Sequence, residues 1–504
     1  MSKNMILVLD FGGSQSQPIA RKVRKENVYC EILPYDTPIK EIEARSPRGV
    51  IMVGSAKEVN AETKGGSAKD VCSLGVPVLA LGCPAMIVAR DMGAVIQETV
   101  IEKRTAQVCF GASPLFAGLS SVERYFERAD ALDLPENLEC IAASEVPAAF
   151  ADERLRFYGL QFFPENNDPE GFAILHNFLL DICGCTPDWS MEAFVEREIA
   201  RIRGVVGEGR ALMAISGGID SSVCAALMHR AIGRQLVCLH VDNGLMRKGE
   251  TALVEKMFRE QMGINLICVD AGERFLARLS GVTDPEEKRR IVGEEFIRVF
   301  EEEALKLGQI DFLVQGTIYS DVIESYGVDN APVKTQNNVG NLPEKIGFKS
   351  IIEPVRELFK DEVRSVGQVL GLPAELINRQ PFPGPGLAVR TLGEVTPEKL
   401  TILREADAIF RDEIVAAGLD KRIWQYFVVM TDCFSGGVKD GRRSYEYAIA
   451  LRAVNSVDAM NATVYRLPYD LLERVVARIT SEVPGVNRVV YDITPKPPAT
   501  LEWE

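Results

Sequence analysis

The string Ser216-Gly217-Gly218-Ile219-Asp220-Ser221-Ser222 has the residue types and spacing that bind a phosphate chain. It follows the apolar run Ala211-Leu212-Met213-Ala214-Ile215 and opens a helical stretch. Two glycines let the backbone approach a phosphate closely, and the free N–H groups and dipole of the following helix favour negative charge there. The hydroxyls of Ser216, Ser221 and Ser222 add donors, and the Asp220 carboxylate suits Mg²⁺ held against phosphates. The lysine of a Walker A loop is missing, so ordinary γ-phosphate transfer is not indicated. A second chemical pattern lies upstream. Cys83 follows the strand-like Leu79-Ala80-Leu81, and Phe163-Pro164-Glu165 follows the strand-like Phe157 to Phe162. A cysteine nucleophile needs a base, usually histidine oriented by a carboxylate. Here the cysteine and carboxylate are present, and phenylalanine stands at the base position.

The elements that must position these residues read as two successive alternations of strand and helix. Residues 1–186 alternate apolar runs (MILVLD, GVIMV, VPVLAL, FYGLQFF) with helical stretches, the pattern of a parallel sheet covered by helices. Residues 187–383 repeat it with ALMAI, LVCLHVD, LICVD and FLVQG, predicting a second doubly wound unit. The Pro/Gly-rich Gln380 to Leu387 is punctuation, and residues 384–504 read as a smaller α+β domain. The fold class expected is therefore α/β, with two doubly wound parallel-sheet domains followed by a smaller α+β domain.

A net charge of −15 excludes a general nucleic-acid or anionic-membrane binder, which needs a basic field. Phosphate must then be held by local amides and a few placed cations. Eleven scattered cysteines predict a reduced, cytoplasmic protein. The opening MSKNMILVLDFGG runs directly into a strand and is not expected to be a signal peptide, and no run approaches the ~20 apolar residues of a membrane span.

The phosphate string resembles the loop of the N-type ATP pyrophosphatases, and the rest of the chain resembles the GMP synthetases. The resemblance is carried by Val241-Asp242-Asn243-Gly244, Asp284 to Arg289, Gly316 to Ser325, Glu357 to Arg364, Pro381 to Leu387 and Lys496 to Glu504. It implies a class I glutamine amidotransferase domain (1–186), an ATP pyrophosphatase domain (187–383) and a C-terminal dimerisation domain (384–504), hence a homodimer. It implies the reaction as well: ATP adenylates the O2 oxygen of XMP, and ammonia then displaces AMP to give GMP. On this resemblance ATP and Mg²⁺ are the cofactors. Asp220, Asp321, Lys334 and Lys360 would serve catalysis. Ser216, Gly217, Gly218, Asp220, Ser221, Ser222 and Asp242 would bind ATP. Arg289, Gly384, Gly386, Lys496, Leu501 and Glu502 would bind the XMP-like purine nucleotide.

The chain departs from the family pattern in both halves. The family's Gly-x-Cys-x-Gly elbow reads Leu81-Gly82-Cys83-Pro84-Ala85, its His-Pro-Glu reads Phe163-Pro164-Glu165, and its Gly-Gly-Pro loop reads Gly54-Ser55-Ala56. Cys83, Phe163 and Glu165 are therefore expected to be vestiges of a glutaminase, with ammonia taken from solution or a partner. The chain has three histidines, His176, His229 and His240, and none matches a catalytic position of the family. The family's lid, Lys-Ser-His-His-Asn-Val-Gly-Gly, reads Lys334-Thr335-Gln336-Asn337-Asn338-Val339-Gly340-Asn341. Amides there hydrogen-bond but do not titrate near neutral pH, so XMP-dependent adenylation is expected to be slow or absent. The altered lid leaves open a ligase with a different acceptor or nucleophile, and a non-catalytic nucleotide-binding homologue or partner subunit.

Overall fold

The computed structural model describes residues 4–55, 66, 68–164, 169–325, 347–439, 441–456, 459 and 461–504. Lys334, Gln336, Asn337 and Glu165 lie outside the described residues. The chain divides into two compact units, Met1–Phe194 and Val195–Glu504.

In the first unit the strands are β1 Met5–Asp10, β2 Tyr29–Pro34, β3 Gly49–Val53, β4 Val78–Leu81, β5 Val95–Phe110, β6 Val122–Asp133, β7 Glu139–Ala143, β8 Pro147–Asp152 and β9 Phe157–Leu160. They form one sheet in the order β2-β1-β3-β4-β9-β8-β7-β5-β6. The strands β2, β1, β3, β4 and β9 run parallel, as their near-continuous apolar sequences require of strands buried on both faces. From β9 onward the pairing is antiparallel. This half was not visible as apolar runs, because β5 and β6 are long, exposed and rich in charge. Helices α1 Ser16–Lys25 and α2 Cys83–Asp91 accompany the parallel half. Leu7, Leu9, Val50, Met52, Val78, Ala80 and Ile87 build the core around the β4–α2 junction.

The second unit holds two sheets. Strands β10 Ala211–Ala214, β11 Leu236–Asp242, β12 Leu266–Asp270, β13 Phe312–Val314 and β14 Ser350–Ile352 form an all-parallel sheet in the order β12-β11-β10-β13-β14. The strand before the phosphate string is its central strand, flanked by β11 and β13. Helices α3 Ile219–Ile232, α4 Glu250–Glu255, α5 Pro285–Lys306 and α6 Lys360–Val369 follow in chain order. The Asp284 side chain caps α5 by accepting from the Glu287 amide at 2.8 Å, with Pro285 in the first turn.

Beyond α7 Pro397–Ala416, strands β15 Gln425–Lys439, β16 Arg442–Ser456 and β17 Ala462–Val464 pair antiparallel. Helix α8 Tyr469–Glu482 leads into β18 Val486–Asp492, which joins β16 in parallel. One continuous core runs from Leu212, Val237 and Leu239 of the parallel sheet through Leu403 and Phe410 of α7 to Val428 and Ile449. Among the described residues no helix is long and apolar enough to cross a membrane.

Candidate functional site

The phosphate string occupies the carboxyl end of β10, where a doubly wound sheet opens toward ligands. Gly217 takes φ +75°, and Gly218 is the extended residue that starts α3. The hydroxyls fold back on the loop. Ser216 Oγ lies 3.1 Å from Ser221 Oγ and accepts from the Gly218 amide at 3.2 Å. Ser221 and Ser222 donate to the Gly218 carbonyl at 3.0 and 2.7 Å. The result is a tight, pre-formed turn on a helix N-terminus, which is an anion cradle. Gly316, after β13, closes its other side: a Cβ there would stand 3.5 Å from the Ser221 nitrogen.

Asp220 and Lys360 meet at this turn. Lys360 Nζ, on the first residue of α6, lies 2.5 Å from Asp220 Oδ2. Asp220 Oδ1 is buried and has no hydrogen-bond partner. A buried carboxylate oxygen with an open valence beside a phosphate cradle fits Mg²⁺, which takes one or two carboxylates and completes its shell with phosphates and water. Among the described residues no group of three or more His, Cys, Asp or Glu could hold a metal on protein ligands alone.

Asp242 and Asp321 are engaged in local turns. Asp242 accepts from the Gly244 amide at 3.0 Å and from Thr251 Oγ1 at 2.7 Å. His240, two residues earlier in β11, bonds the Ile215 carbonyl at 2.9 Å through Nδ1 and so supports the strand end below the cradle. Asp321 Oδ2 accepts from the Ile318 amide at 3.1 Å. Sequence reasoning missed Arg379 and Glu250. Arg379 donates to the Gly217 carbonyl and pairs with Glu250, whose side chain is almost fully buried. Both stand far from the motif in sequence, so only the folded chain brings them to it.

The residues expected to hold the second nucleotide gather largely around the C-terminal tail. Arg390, with no exposed surface, makes a two-pronged ion pair with Glu502 at 2.9 Å on each arm. Gln425 adds a bond to Glu502 Oε1 at 3.1 Å. Arg452, equally buried, donates to the carbonyls of Leu501 and Thr500 at 2.9 Å. Arg289 donates to the Glu504 carbonyl, and the buried Lys288 pairs with the Glu504 carboxylate. Gly386 (φ +62°) packs so closely that a Cβ would lie 2.5 Å from the Leu245 carbonyl oxygen, while Gly384 is exposed.

Lys496 is anchored on its own, with Nζ donating to the Ala459 carbonyl at 2.8 Å. The Phe382 ring lies beneath two guanidiniums, Arg247 at 4.4 Å and Arg390 at 5.2 Å. Burial, the largest cause, pushes Arg247 down to about 9. Both carboxylate oxygens of Glu502, a residue expected to bind the XMP-like nucleotide, are engaged by Arg390 and Gln425.

In the first unit, the turn from β4 into α2 falls on Gly82, at φ +76° and ψ −133°. A nucleophile elbow places its reactive residue on such a strained strand-to-helix turn. The expectation put Cys83 there. Cys83 is instead the first residue of α2, buried to 7% exposure, and its Sγ would lie 2.6 Å from a Cβ placed on Gly54. A side chain on Gly82 would meet the Gly54 carbonyl oxygen at 2.3 Å and the Phe163 ring at 2.8 Å.

Phe163 is held in that place. The buried Lys22 donates to the neighbouring Pro164 carbonyl, and Gln161 is fixed by bonds to the Asp130 backbone at 2.9 and 3.0 Å. The residue at the elbow and the residue facing it are thus glycine and phenylalanine. Of the histidines, His176 is exposed and bonds Glu26 at 2.9 Å, His229 lies in α3, and His240 supports the phosphate loop.

A nine-stranded half-parallel sheet with a strand-turn-helix elbow, and a separate phosphate cradle on an all-parallel sheet, define a two-part nucleotide-linked amidotransferase architecture. The family pattern "Glutamine amidotransferase class-I" matches residues 7–182, and "GMP synthase C terminal domain" matches residues 412–503. Over the full length of both chains the sequence is 52% identical to the "GMP synthase (glutamine-hydrolyzing)" of Caldicellulosiruptor saccharolyticus. It is 50% identical to the proteins of the same name from Clostridium novyi and Acetivibrio thermocellus, again over the whole of each chain. The chain belongs to the GMP synthase family.

Proposed function

We propose that this protein is an ATP-dependent carbon–nitrogen ligase that aminates XMP to GMP with free ammonia, its glutaminase being silent. The observation that carries the reading is the pairing of an intact phosphate cradle with an elbow that bears no thiol and no base. In the reaction, the O2 oxygen of XMP attacks the α-phosphorus of ATP and pyrophosphate leaves. Ammonia then adds at C2, the C2–O bond breaks and AMP departs carrying the former O2 oxygen and the bond's electron pair, and the nitrogen loses a proton to give GMP. AMP as leaving group is what lets a neutral amine replace an otherwise unreactive oxygen.

The chain's part is positioning and charge stabilisation. The amides and hydroxyls of Ser216, Gly217, Gly218, Ser221 and Ser222 hold the departing pyrophosphate, and Lys360 adds positive charge beside it. Mg²⁺ bound at Asp220 would screen the phosphate charge. Asp321 and Asp242 shape the turns around the cradle, and Lys334 in the lid contributes a further cation.

Arg289, Gly384, Gly386, Lys496, Leu501 and Glu502 form the XMP side. The pairing of Arg390 with Glu502 supports a role for Glu502 in fixing the tail against that surface. The reading divides the chain at 186 and 383 into amidotransferase-like, pyrophosphatase and dimerisation domains, and takes the working form as a homodimer. Its test is XMP-dependent pyrophosphate release with ATP, Mg²⁺ and ammonium, without glutamine. Release that requires both XMP and ammonium supports it. Pyrophosphate release with a different purine nucleotide and none with XMP would overturn it.

A further inference from the structure

We propose that Arg379, fixed by Glu250, is the positioning residue that latches the phosphate loop in its binding conformation. The proposal rests on the reading of that loop as an ATP pyrophosphate site. A Ser-Gly-Gly turn has little rigidity of its own, since glycine samples left- and right-handed backbone about equally. Here the peptide joining Gly217 to Gly218 is pinned at both ends. Its N–H donates to Ser216 Oγ at 3.2 Å, and its carbonyl accepts from the Arg379 guanidinium.

Gly217 could carry no side chain in this arrangement, because a Cβ would stand 2.7 Å from Arg379 Nη1 and 2.9 Å from Val254. Arg379 is in turn held by Glu250, whose carboxylate also accepts from the Arg247 amide at 3.2 Å. Both side chains are largely withdrawn from solvent, at 14% and 5% exposure. The guanidinium therefore acts through the loop and not by touching the nucleotide. Burial and the neighbouring Arg247 and Arg411 lower Arg379 to about 10, which leaves it cationic at neutral pH.

One stretch of chain thus grips the loop twice. Lys360 at the start of α6 meets Asp220, and Arg379, after the short helix Ala374–Ile377, meets Gly217. A side chain added at Gly367 within α6 would touch Val223 and Ile219 of α3 at 3.4 and 3.5 Å, so the segment is packed tightly on the helix it clamps. Pre-organising a binding loop in this way spares the ligand the cost of ordering it.

The test measures ATP·Mg²⁺ and pyrophosphate binding by calorimetry without XMP, so that it remains readable even if the chain forms no GMP. Thermal unfolding and XMP binding are followed alongside. Arg379→Ala should weaken both ATP and pyrophosphate at least tenfold and leave XMP within twofold. Arg379→Lys should fall between that variant and the wild type, and millimolar methylguanidinium should restore part of the ATP affinity to Arg379→Ala. The single change strands a buried carboxylate and lowers stability, so the double variant Arg379→Ala/Glu250→Gln is decisive. It should recover the lost thermal stability while ATP binding stays weak. Unchanged ATP affinity in a folded Arg379→Ala protein, or recovery of stability and ATP affinity together in the double variant, would overturn the proposal.

Discussion

Phe163→His places an imidazole beside Gly82, and the geometry of Gly82 sets what that imidazole can achieve. A placed general base is worth roughly 10²–10⁴ in rate, but only when it has a nucleophile to deprotonate. The elbow residue is glycine, and the nearby thiol belongs to Cys83, one residue into the helix and buried against Gly54. Removing the nucleophile from a hydrolase costs on the order of 10⁶ in kcat. That loss is untouched by the new imidazole. Phe163→His should therefore release no more glutamate from glutamine than the wild type, and Cys83→Ser should change nothing.

Adding Gly82→Cys to Phe163→His restores both partners in the right register. Its Cβ would first have to move the Gly54 carbonyl from 2.3 Å to an ordinary contact, so a partial gain is expected. Glutamate release is read by a coupled dehydrogenase assay. Mass spectrometry after treatment with an electrophilic glutamine analogue locates the adduct, which is expected at position 82 of the double variant. Vigorous glutamate release by Phe163→His alone, or an adduct on Cys83 in any variant, would refute the reasoning.

Three further outcomes follow from the second unit. Asp220→Ala should abolish the Mg²⁺-dependent part of ATP binding while metal-free nucleotide binding persists, as calorimetry with and without Mg²⁺ will show. Glu502→Ala strands the fully buried Arg390, so urea unfolding should reveal a loss of about 3–5 kcal/mol. If only XMP affinity moved and stability did not, the ion pair would not be what holds the tail. Gln336→His with Asn337→His should raise the ammonium-dependent rate by up to ~10²-fold, and an unchanged rate would show that the lid amides do not limit adenylation.

The phosphate cradle was legible because a short local string dictates its own backbone: glycine at φ +75°, hydroxyls folding back, and a helix opening at Ile219. The parallel strands were legible because burial on both faces leaves an unbroken apolar run, as in β1 and β4. Other features depend on chain segments meeting in space. Glu502 and Arg390, 112 residues apart, find each other only in the folded chain, and Arg379 reaches Gly217 from another segment. The elbow was misplaced by one residue because Leu81-Gly82-Cys83 reads equally well with the turn at either position. Only the dihedral angles assign it to Gly82. The antiparallel half of the first sheet escaped because its long outer strands carry charge along exposed faces, which hides the alternation.

The central claim is that nitrogen reaches GMP from ammonia and not from glutamine. The most direct measurement supplies the protein with ATP, Mg²⁺, XMP, ¹⁵N-ammonium and unlabelled glutamine together, and reads the isotope in the GMP amino group. The account predicts GMP carrying ¹⁵N throughout, in an amount unaffected by omitting glutamine. GMP carrying unlabelled nitrogen drawn from glutamine would contradict it.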